Sequence, residues 1–427
     1  MFAFTVLAEA AAGQDPIADR LMRDRPPTLY VKAVNELNAS QAEWLSRKHG
    51  HPVDRLTEAL FVFSGRTLQA NVVGCPSKAD AEALAKTLAK KKQIPLEVVV
   101  SGRQVVEYVA RDRRPLDEPL LRRLSWELGA IDKPTAVRYR VAAGIVPVDE
   151  ADGMLCQVLS NFLVNRVAAE RLQGEIADIS PSFVFGNSLA LRNPLLERAT
   201  HVLKPAPMST QPAAGRTDPL ARYRFGDLPK FGGVPYVAAT IELTVDDSGF
   251  RRAETASAAN LEVTDAWPAD DPEIGAYAKK VVGDAKTPAE KVARLLTALK
   301  PRPSYRFRYG GPVGARHGVK QMFAQKFGRC FDFSDMFITL ARAEGIPARQ
   351  VAGWLYGQGG HVWAEWYDEE NPDREPGWQQ VDPTGGGLVE CGVAYIPYFT
   401  SEDGSQSIVY AGGPPTIVVL PLPPDDE

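Results

Sequence analysis

The stretch between Cys330 and Asp382 constrains this chain most, because within it the apolar period changes from that of a helix to that of a strand. In CFDFSDMFITLARAEG, Phe333, Met336, Phe337, Leu340 and Ala341 share one helical face, Gly345 supplies a C-terminal stop and Pro347 lies just beyond. Two strand-like runs follow, HVWAEWYD from His361 and GWQQVD ending at Asp382, separated by acids, Asn and Pro. Paired as a hairpin with His361 opposite Asp382, the two strands have matching lengths: Tyr367 falls opposite Pro376, and residues 368 to 375 form the loop. Directly opposed residues share a face with Cβ atoms about 4.5–5.5 Å apart, close enough for a carboxylate to hold a His ring nitrogen. Pro383 bars Asp382 from the α region and ends the strand there. A helix joined to an antiparallel sheet is an α+β arrangement.

Cys330 sits in the first turn of that helix, after Gly328 and Arg329. Unpaired backbone N–H groups and the positive end of the helix dipole stabilise a thiolate there, and Arg329 adds to the effect. Position alone does not separate a nucleophile from a structural cysteine, since free cysteine is commonly a small core hydrophobe. The hairpin supplies the missing partners. In a Cys-His-Asp triad Cys330 attacks an acyl carbonyl, His361 takes the thiol proton and returns one to the leaving amine, and Asp382 fixes the tautomer and orientation of the imidazole. The oxyanion needs donors: the Cys330 backbone N–H is the natural first, and a side chain of YRFRYGG, which holds Tyr309, or Gln321 is the candidate second. Trp363 and Glu365 share the face of His361, and Trp363 either shields the ion pair from water or is plain core.

The order G-x-C before a helix, then RAEGIPARQVAGW, HVWAEWY and GWQQVDPT, resembles the transglutaminase-like superfamily over roughly residues 266–400. The resemblance implies a fold similar to papain-type cysteine proteases, a nucleophile helix packed on an antiparallel sheet, with Cys330 as nucleophile, His361 as base and Asp382 as orienter. It also implies a structural role for the GIPAR turn, with Arg349 a packing and pairing residue. The β-sandwich domains and acidic calcium sites of calcium-dependent animal transglutaminases find no match, so neither a metal nor another cofactor is expected, and the single-core, bacterial-style organisation favours hydrolysis over crosslinking. The expected substrate is a protein or peptide, attacked at a peptide, isopeptide or glutamine amide bond through a thioester. The alternative is a catalytically silent module of the same fold that binds a peptide or scaffolds a partner.

The rest of the chain reads as more than one domain, as 427 residues suggest. In residues 1–114 the runs LYVKAVN, LFVFSGR, LQANVVG and LEVVVSG are strand-like, and Ser77 caps a helix whose Leu84 and Leu88 face inward. Residues 115–203 read as a second small α/β unit built on AVRYRVAAGIV, an apolar helix near 152–172 and IADISPSFVFGNSLAL. Residues 204–219, dense in Pro, Ser, Thr and Gly, read as a linker. Residues 220–427 hold the catalytic domain. There VPYVAATIELTVDD is a strand, Pro272 to Gly283 bound a helix, Thr287 and Glu290 form a capping box, and Val292, Leu295, Leu296 and Leu299 form the buried stripe of the next helix.

Four scattered cysteines, at 75, 156, 330 and 391, form no CxxC pair, which predicts a reducing, cytoplasmic setting without disulfides. Cys75, Cys156 and Cys391 read as core residues. The remaining histidines, at 49, 51, 201 and 317, show no ligand spacing. A net charge of −4 gives no basic footprint for nucleic acid, and no segment reaches the length of a membrane span. The N-terminus meets Glu9 too early for a signal-peptide core and reads as an ordinary first element. Oligomeric state leaves no mark in the sequence.

Overall fold

The computed structural model describes residues 30–63, 66–90, 96–110, 118–127, 131–146, 200–206, 209–212, 219–222, 227–231, 234–246, 255–300, 307–311, 316–357, 359–369, 376–385, 387–389, 392–404 and 409–422. The expected N-terminal element, the expected helix near 152–172 with Cys156, the run after it, and Cys391 lie outside the described residues. The chain divides into two compact units, the first holding residues 31–115 with 125–131 and the second holding 116–124 and everything from 132 onward.

The first unit is a five-stranded sheet in the order β1-β2-β3-β5-β4, built from β1 (Tyr30–Glu36), β2 (Arg55–Phe63), β3 (Arg66–Gly74), β4 (Leu96–Ser101) and β5 (Gln104–Ala110). Helix α1 (Ala39–His49) begins at an Asn38 and Gln41 capping box, and α2 (Lys78–Ala89) begins at Ser77, whose Oγ accepts from the Asp80 N–H at 3.1 Å. Ala42, Leu84 and Leu88 of these helices pack on Leu56, Val73 and Val105 of the sheet, with Cys75 in the same core. All four expected strands form. The fifth, QVVEYVA, is an additional alternating strand whose Val105, Val106 and Tyr108 are fully buried.

Helix α3 (Glu118–Glu127) follows, and β6 (Ala136–Val146) begins the sheet structure of the second unit. β6 does not open a separate α/β unit. It lies in an antiparallel sheet of order β20-β6-β12-β7 with β7 (Thr200–Lys204), β12 (Val237–Asp246) and β20 (Val409–Leu420), opposing Val137 to Val245 and Tyr139 to Leu243. Its pairing partners are remote in sequence, and Val137, Tyr139 and Val141 are buried, Tyr139 meeting the Tyr356 ring edge-on and donating to the Val393 carbonyl at 3.0 Å. The expected linker also contains structure. β8 (Ser209–Pro212) and β9 (Pro219–Arg222) pair antiparallel across it, and β10 (Lys230–Phe231) pairs with β11 (Val234–Pro235) shortly after.

The helices that follow obey their caps. α4 (Pro272–Val282) starts at Asp271, whose carboxylate accepts from the N–H groups of Glu273 and Ile274, and ends at Gly283. α5 (Pro288–Leu299) carries the Thr287 and Glu290 capping box, and its Val292, Leu295, Leu296 and Leu299 are all buried. The alternating strand expected over 305–309 is described only from 307; Phe307 is buried, and β13 (Arg308–Tyr309) pairs in parallel with β14 (Phe327–Gly328) after α6 (Val319–Gln325).

At the centre lies α7 (Cys330–Ala343). Phe333, Met336, Phe337, Leu340 and Ala341 are buried as the period predicts, in one core with α4, α5, Trp267 and the sheet residues Ala348, Ala364, Trp366 and Val381. The polar face is buried as well, from Asp332 through Arg342. Each polar group there finds a partner: Thr339 Oγ1 donates to the Asp335 carbonyl at 2.8 Å, and the Arg342 guanidinium donates to the carbonyls of Glu262, Ala348 and Glu402. Against the helix packs an antiparallel sheet of order β18-β17-β16-β15-β19, formed by β15 (Ala348–Leu355), β16 (Gly359–Asp368), β17 (Gly377–Asp382), β18 (Gly387–Leu388) and β19 (Tyr395–Ser401). A helix that begins at Cys330 and packs on an antiparallel sheet is the α+β arrangement expected.

Candidate active site

Two residues fix the start of α7. The Asp332 carboxylate folds back to accept from the Arg329 N–H at 2.8 Å, and its other oxygen accepts from the His317 N–H at 2.6 Å and the Gly318 N–H at 3.2 Å. That fold brings Asp332 onto Gly328, where a Cβ would stand 2.5 Å from the Asp332 Cβ. A glycine two residues before the cysteine is therefore a steric requirement of the cap. Cys330, half-buried, follows with the unpaired N–H groups of a first turn.

His361 lies near the start of β16 and Asp382 at the end of β17. The backbone register pairs Glu365 with Gln380 and Ala364 with Val381, which, continued, sets Asp382 opposite Trp363 and not opposite His361. The expected register is thus corrected by two residues: β16 extends to Asp368 and β17 starts at Gly377, so the strands close around the loop differently. A shift of two preserves the face, and His361 Nε2 still lies 2.8 Å from Asp382 Oδ2, both side chains fully buried. On the other side, His361 opposes Gly353 of β15, where a Cβ would stand 2.5 Å from Cη2 of the Trp363 ring.

Asp382 accepts from four donors: His361 Nε2, Tyr395 Oη at 3.0 Å, the Thr384 N–H at 2.9 Å and Thr384 Oγ1 at 2.6 Å. Burial pushes the carboxyl up, yet His361 and Thr384 hold it below its ordinary value. Burial likewise pulls His361 down, but the Asp382 charge and hydrogen bond, with a contribution from Cys330, raise it from 6.5 to about 10. With Nε2 engaged by a carboxylate, the proton of the neutral ring belongs on Nε2, and the Nδ1 lone pair is the basic site. Nδ1 is buried and has no hydrogen-bond partner among the described residues, while the Cys330 side chain lies near enough to act on the ring.

The remaining candidates separate. Trp363 is fully buried, stacks on the His361 ring at 6.2 Å between centroids and meets Tyr395 edge-on at 5.5 Å. Its Nε1 donates to Gln380 Oε1, Gln380 Nε2 donates to Glu365, and Glu365 is paired with Arg349. Arg349 lies over the Trp378 ring at 3.9 Å and reaches Glu402, a packing and pairing residue as expected. Tyr309 lies opposite Gly328 across the β13–β14 pair, and Gly328 stands two residues before Cys330. Gln321 does not join the site; it is exposed on α6 and its amide donates to Gln325 at 3.3 Å.

Several supporting residues escaped the sequence reading. Arg316 grips Asp335 through Nε and Nη2, both at 2.7 Å, while Trp267 Nε1 and Gln350 Nε2 donate to the same carboxylate. Nothing local signals that pair. Thr384 was readable, since Asp-Pro-Thr is a turn in which an Asp side chain bonds the backbone two residues on. Tyr395 was not, because its approach to Asp382 depends on β19 pairing with β15. Cys75 is core as expected, and burial, with Asp80 and Asp54 nearby, pushes its thiol up to about 11. Among the described residues no group of three His, Cys, Asp or Glu side chains could hold a metal ion, and no helix is long and apolar enough to cross a membrane.

Residues 275–383 match the transglutaminase-like superfamily. No curated protein matches the chain. Among solved structures, the chain is similar to a candidate cysteine protease from Cytophaga hutchinsonii, at 14% identity and a TM-score of 0.34, over 67% of this chain and 86% of that one. It is also similar to the periplasmic domain of TgpA from Pseudomonas aeruginosa, at 17% identity and a TM-score of 0.29, over 59% and 88% of the two chains. A candidate protease from Parabacteroides distasonis aligns at 8% identity with a TM-score of 0.23, over 79% of this chain and 69% of that one.

Proposed function

We propose that the protein, whose residues 275–383 match the transglutaminase-like superfamily, is a cysteine-dependent acyl-transfer enzyme that cleaves an amide bond of a protein or peptide through a Cys330 thioester. One observation carries the reading: Asp382 engages Nε2 of His361, and the opposite ring nitrogen is buried and without a partner among the described residues, with Cys330 near enough to act on the ring.

The steps follow from that geometry. With His361 raised to about 10, Nδ1 holds the proton of the Cys330 thiol as sulfur attacks the amide carbon, and Asp382 stabilises that imidazolium. Collapse of the tetrahedral oxyanion re-forms the carbonyl and expels the amine, which leaves with the proton returned by Nδ1. Water, deprotonated at the same nitrogen, then attacks the thioester and releases the acid and the thiol. Cys330 is half-exposed while His361 and Asp382 are buried, so the acyl group would form where water can reach it, and hydrolysis is favoured over transfer to an amine.

The test is selective alkylation followed by product analysis. Iodoacetamide at neutral pH, with peptide mapping, should label Cys330 well before Cys75, whose thiol is buried and titrates only near pH 11. Equal labelling, or a His361→Ala variant whose Cys330 reacts as fast as wild type, overturns the nucleophile assignment. Ammonia release from glutamine peptides and cleavage of peptide and isopeptide bonds, with and without added amine, then separate hydrolysis from transfer.

A further inference from the structure

Attack on a carbonyl needs two donors where the oxyanion forms, and only one is apparent in the backbone. The Cys330 N–H, in the first turn of α7, has no intrahelical acceptor. A second donor must be a side chain next to Cys330 with a hydrogen free to give. Trp363 is excluded because its Nε1 already donates to Gln380. Gln321 is excluded because it is exposed and bonded within its own helix.

Tyr309 meets the requirement. β13 pairs in parallel with β14, which sets Tyr309 opposite Gly328, and the Gly310 N–H donates to the Gly328 carbonyl at 2.9 Å. The Tyr309 ring stacks on Phe333 at 6.1 Å with an interplanar angle of 29°. Phe333 is one helical turn beyond Cys330 on the same side of α7, so the ring runs along the face that presents the nucleophile. Arg329 is anchored by donating Nε and Nη2 to the Gly311 carbonyl, at 2.9 and 2.6 Å, and lies over the Tyr309 ring at 5.6 Å.

We propose that Tyr309 is a catalytic residue that donates its phenolic hydrogen to the oxyanion, with Arg329 as the positioning residue behind it. The Arg329 guanidinium set over the ring acts on the phenol, and the charges of Cys330 and Asp382 both reach it. An arginine can only donate, so it cannot take the hydroxyl hydrogen, which is left for another acceptor. Among the described residues none takes that hydrogen. Burial, with the charge of Cys330 assisting, keeps the phenol protonated far above neutrality, so it stays a donor throughout turnover. The guanidinium polarises the O–H bond and strengthens it as a donor at the moment negative charge gathers on the substrate oxygen.

The inference rests on the acyl-transfer reading, and the test separates the two. p-Nitrophenyl acetate acylates a thiol through an oxyanion: the C–S bond forms, the carbonyl electrons move to oxygen, and their return expels p-nitrophenolate. Iodoacetamide alkylates the same sulfur by displacing iodide, with no oxyanion. In Tyr309→Phe the rate of Cys330 acylation should fall about 10²–10³-fold, the loss typical of one oxyanion donor, while alkylation and the thermal midpoint stay at wild-type values. Arg329→Lys should slow acylation in the wild-type background but not in Tyr309→Phe. Unchanged acylation in Tyr309→Phe overturns the assignment, as does a parallel fall of acylation and alkylation, which would place Tyr309 on the thiol. If the wild-type protein forms no acetyl adduct at Cys330, the acyl-transfer reading falls and takes this assignment with it.

Discussion

His361 and Asp382 bond diagonally across β16 and β17. The backbone register sets Asp382 opposite Trp363, yet the His361 Nε2 to Asp382 Oδ2 distance is 2.8 Å. Trp363 makes the same diagonal to Gln380, which the backbone sets opposite Glu365. Both side chains of β16 reach a residue two positions before their backbone partner on β17, within the range that long side chains span across a twisted pair. The geometry predicts what an isosteric change does. In Asp382→Asn the amide would donate to Nε2, move the ring proton to Nδ1 and remove the lone pair facing Cys330. Turnover should fall about 10³–10⁴-fold with the fold intact, as measured by amide hydrolysis beside circular dichroism. Retained activity would mean that Asp382 does not set the tautomer.

The same pair gives stability a pH signature. His361 is raised from 6.5 to about 10, so its contribution is complete below pH 6.5, declines above it and is gone beyond about 10. Asp382 is lowered from 3.8, so its contribution is complete above 3.8 and is lost on acidification through the lowered value. The pair is therefore fully stabilising between these limits, and weakens on the alkaline side first as pH leaves neutrality. Melting temperatures at about pH 6 and about pH 9 should fall more for the wild type than for His361→Gln. Parallel falls would assign the alkaline loss to other groups.

What the sequence made legible was local or parity-based. Ser77 and Thr287 cap helices because the needed hydrogen bonds lie within a few residues. His361 and Asp382 were found on one face despite a register error of two, because only an odd shift turns a strand over. The partners of Ala136–Val146 were hidden, since they begin about a hundred residues later and include β20 near the other end of the chain. Asp335 was hidden for another reason: one apolar stripe on α7 gives no hint that its polar side is buried too, and Arg316 reaches it across 19 residues. Tyr309 and Gln321 were equally plausible near Cys330 in the sequence, and only the pairing of β13 with β14 sets Tyr309 opposite Gly328.

The Arg316 and Asp335 pair should be costly to break. Their side chains are 3% and 1% exposed, and Arg316 also donates to the Gly404 carbonyl at 2.9 Å. In Arg316→Met the carboxylate would keep only Trp267 and Gln350 as donors while remaining in the core. Removing one member of a buried pair costs about 3–5 kcal/mol, because the other charge is left uncompensated. Urea unfolding should show that loss as a lower midpoint, and a change within about 0.5 kcal/mol would show that the carboxyl simply takes up a proton.

Gly328 and Gly360 make a matched comparison near the two ends of the site. At Gly328 a Cβ would meet the Asp332 side chain at 2.5 Å, whereas at Gly360 nothing lies within 4 Å. Asp332 cannot retreat without releasing the Arg329, His317 and Gly318 N–H groups that it holds at the start of α7. Gly328→Ala should therefore cost about 1–3 kcal/mol, as for an overpacked site, and shift Cys330 enough to slow its acylation more than tenfold. Gly360→Ala, adjacent to His361, should leave stability within about 0.5–1 kcal/mol of wild type, since it adds a methyl group to open space in a strand that gains from losing a glycine. Thermal unfolding and Cys330 acylation measured on both variants check the contrast, and equal behaviour would remove the Asp332 cap as the reason for the glycine before the nucleophile.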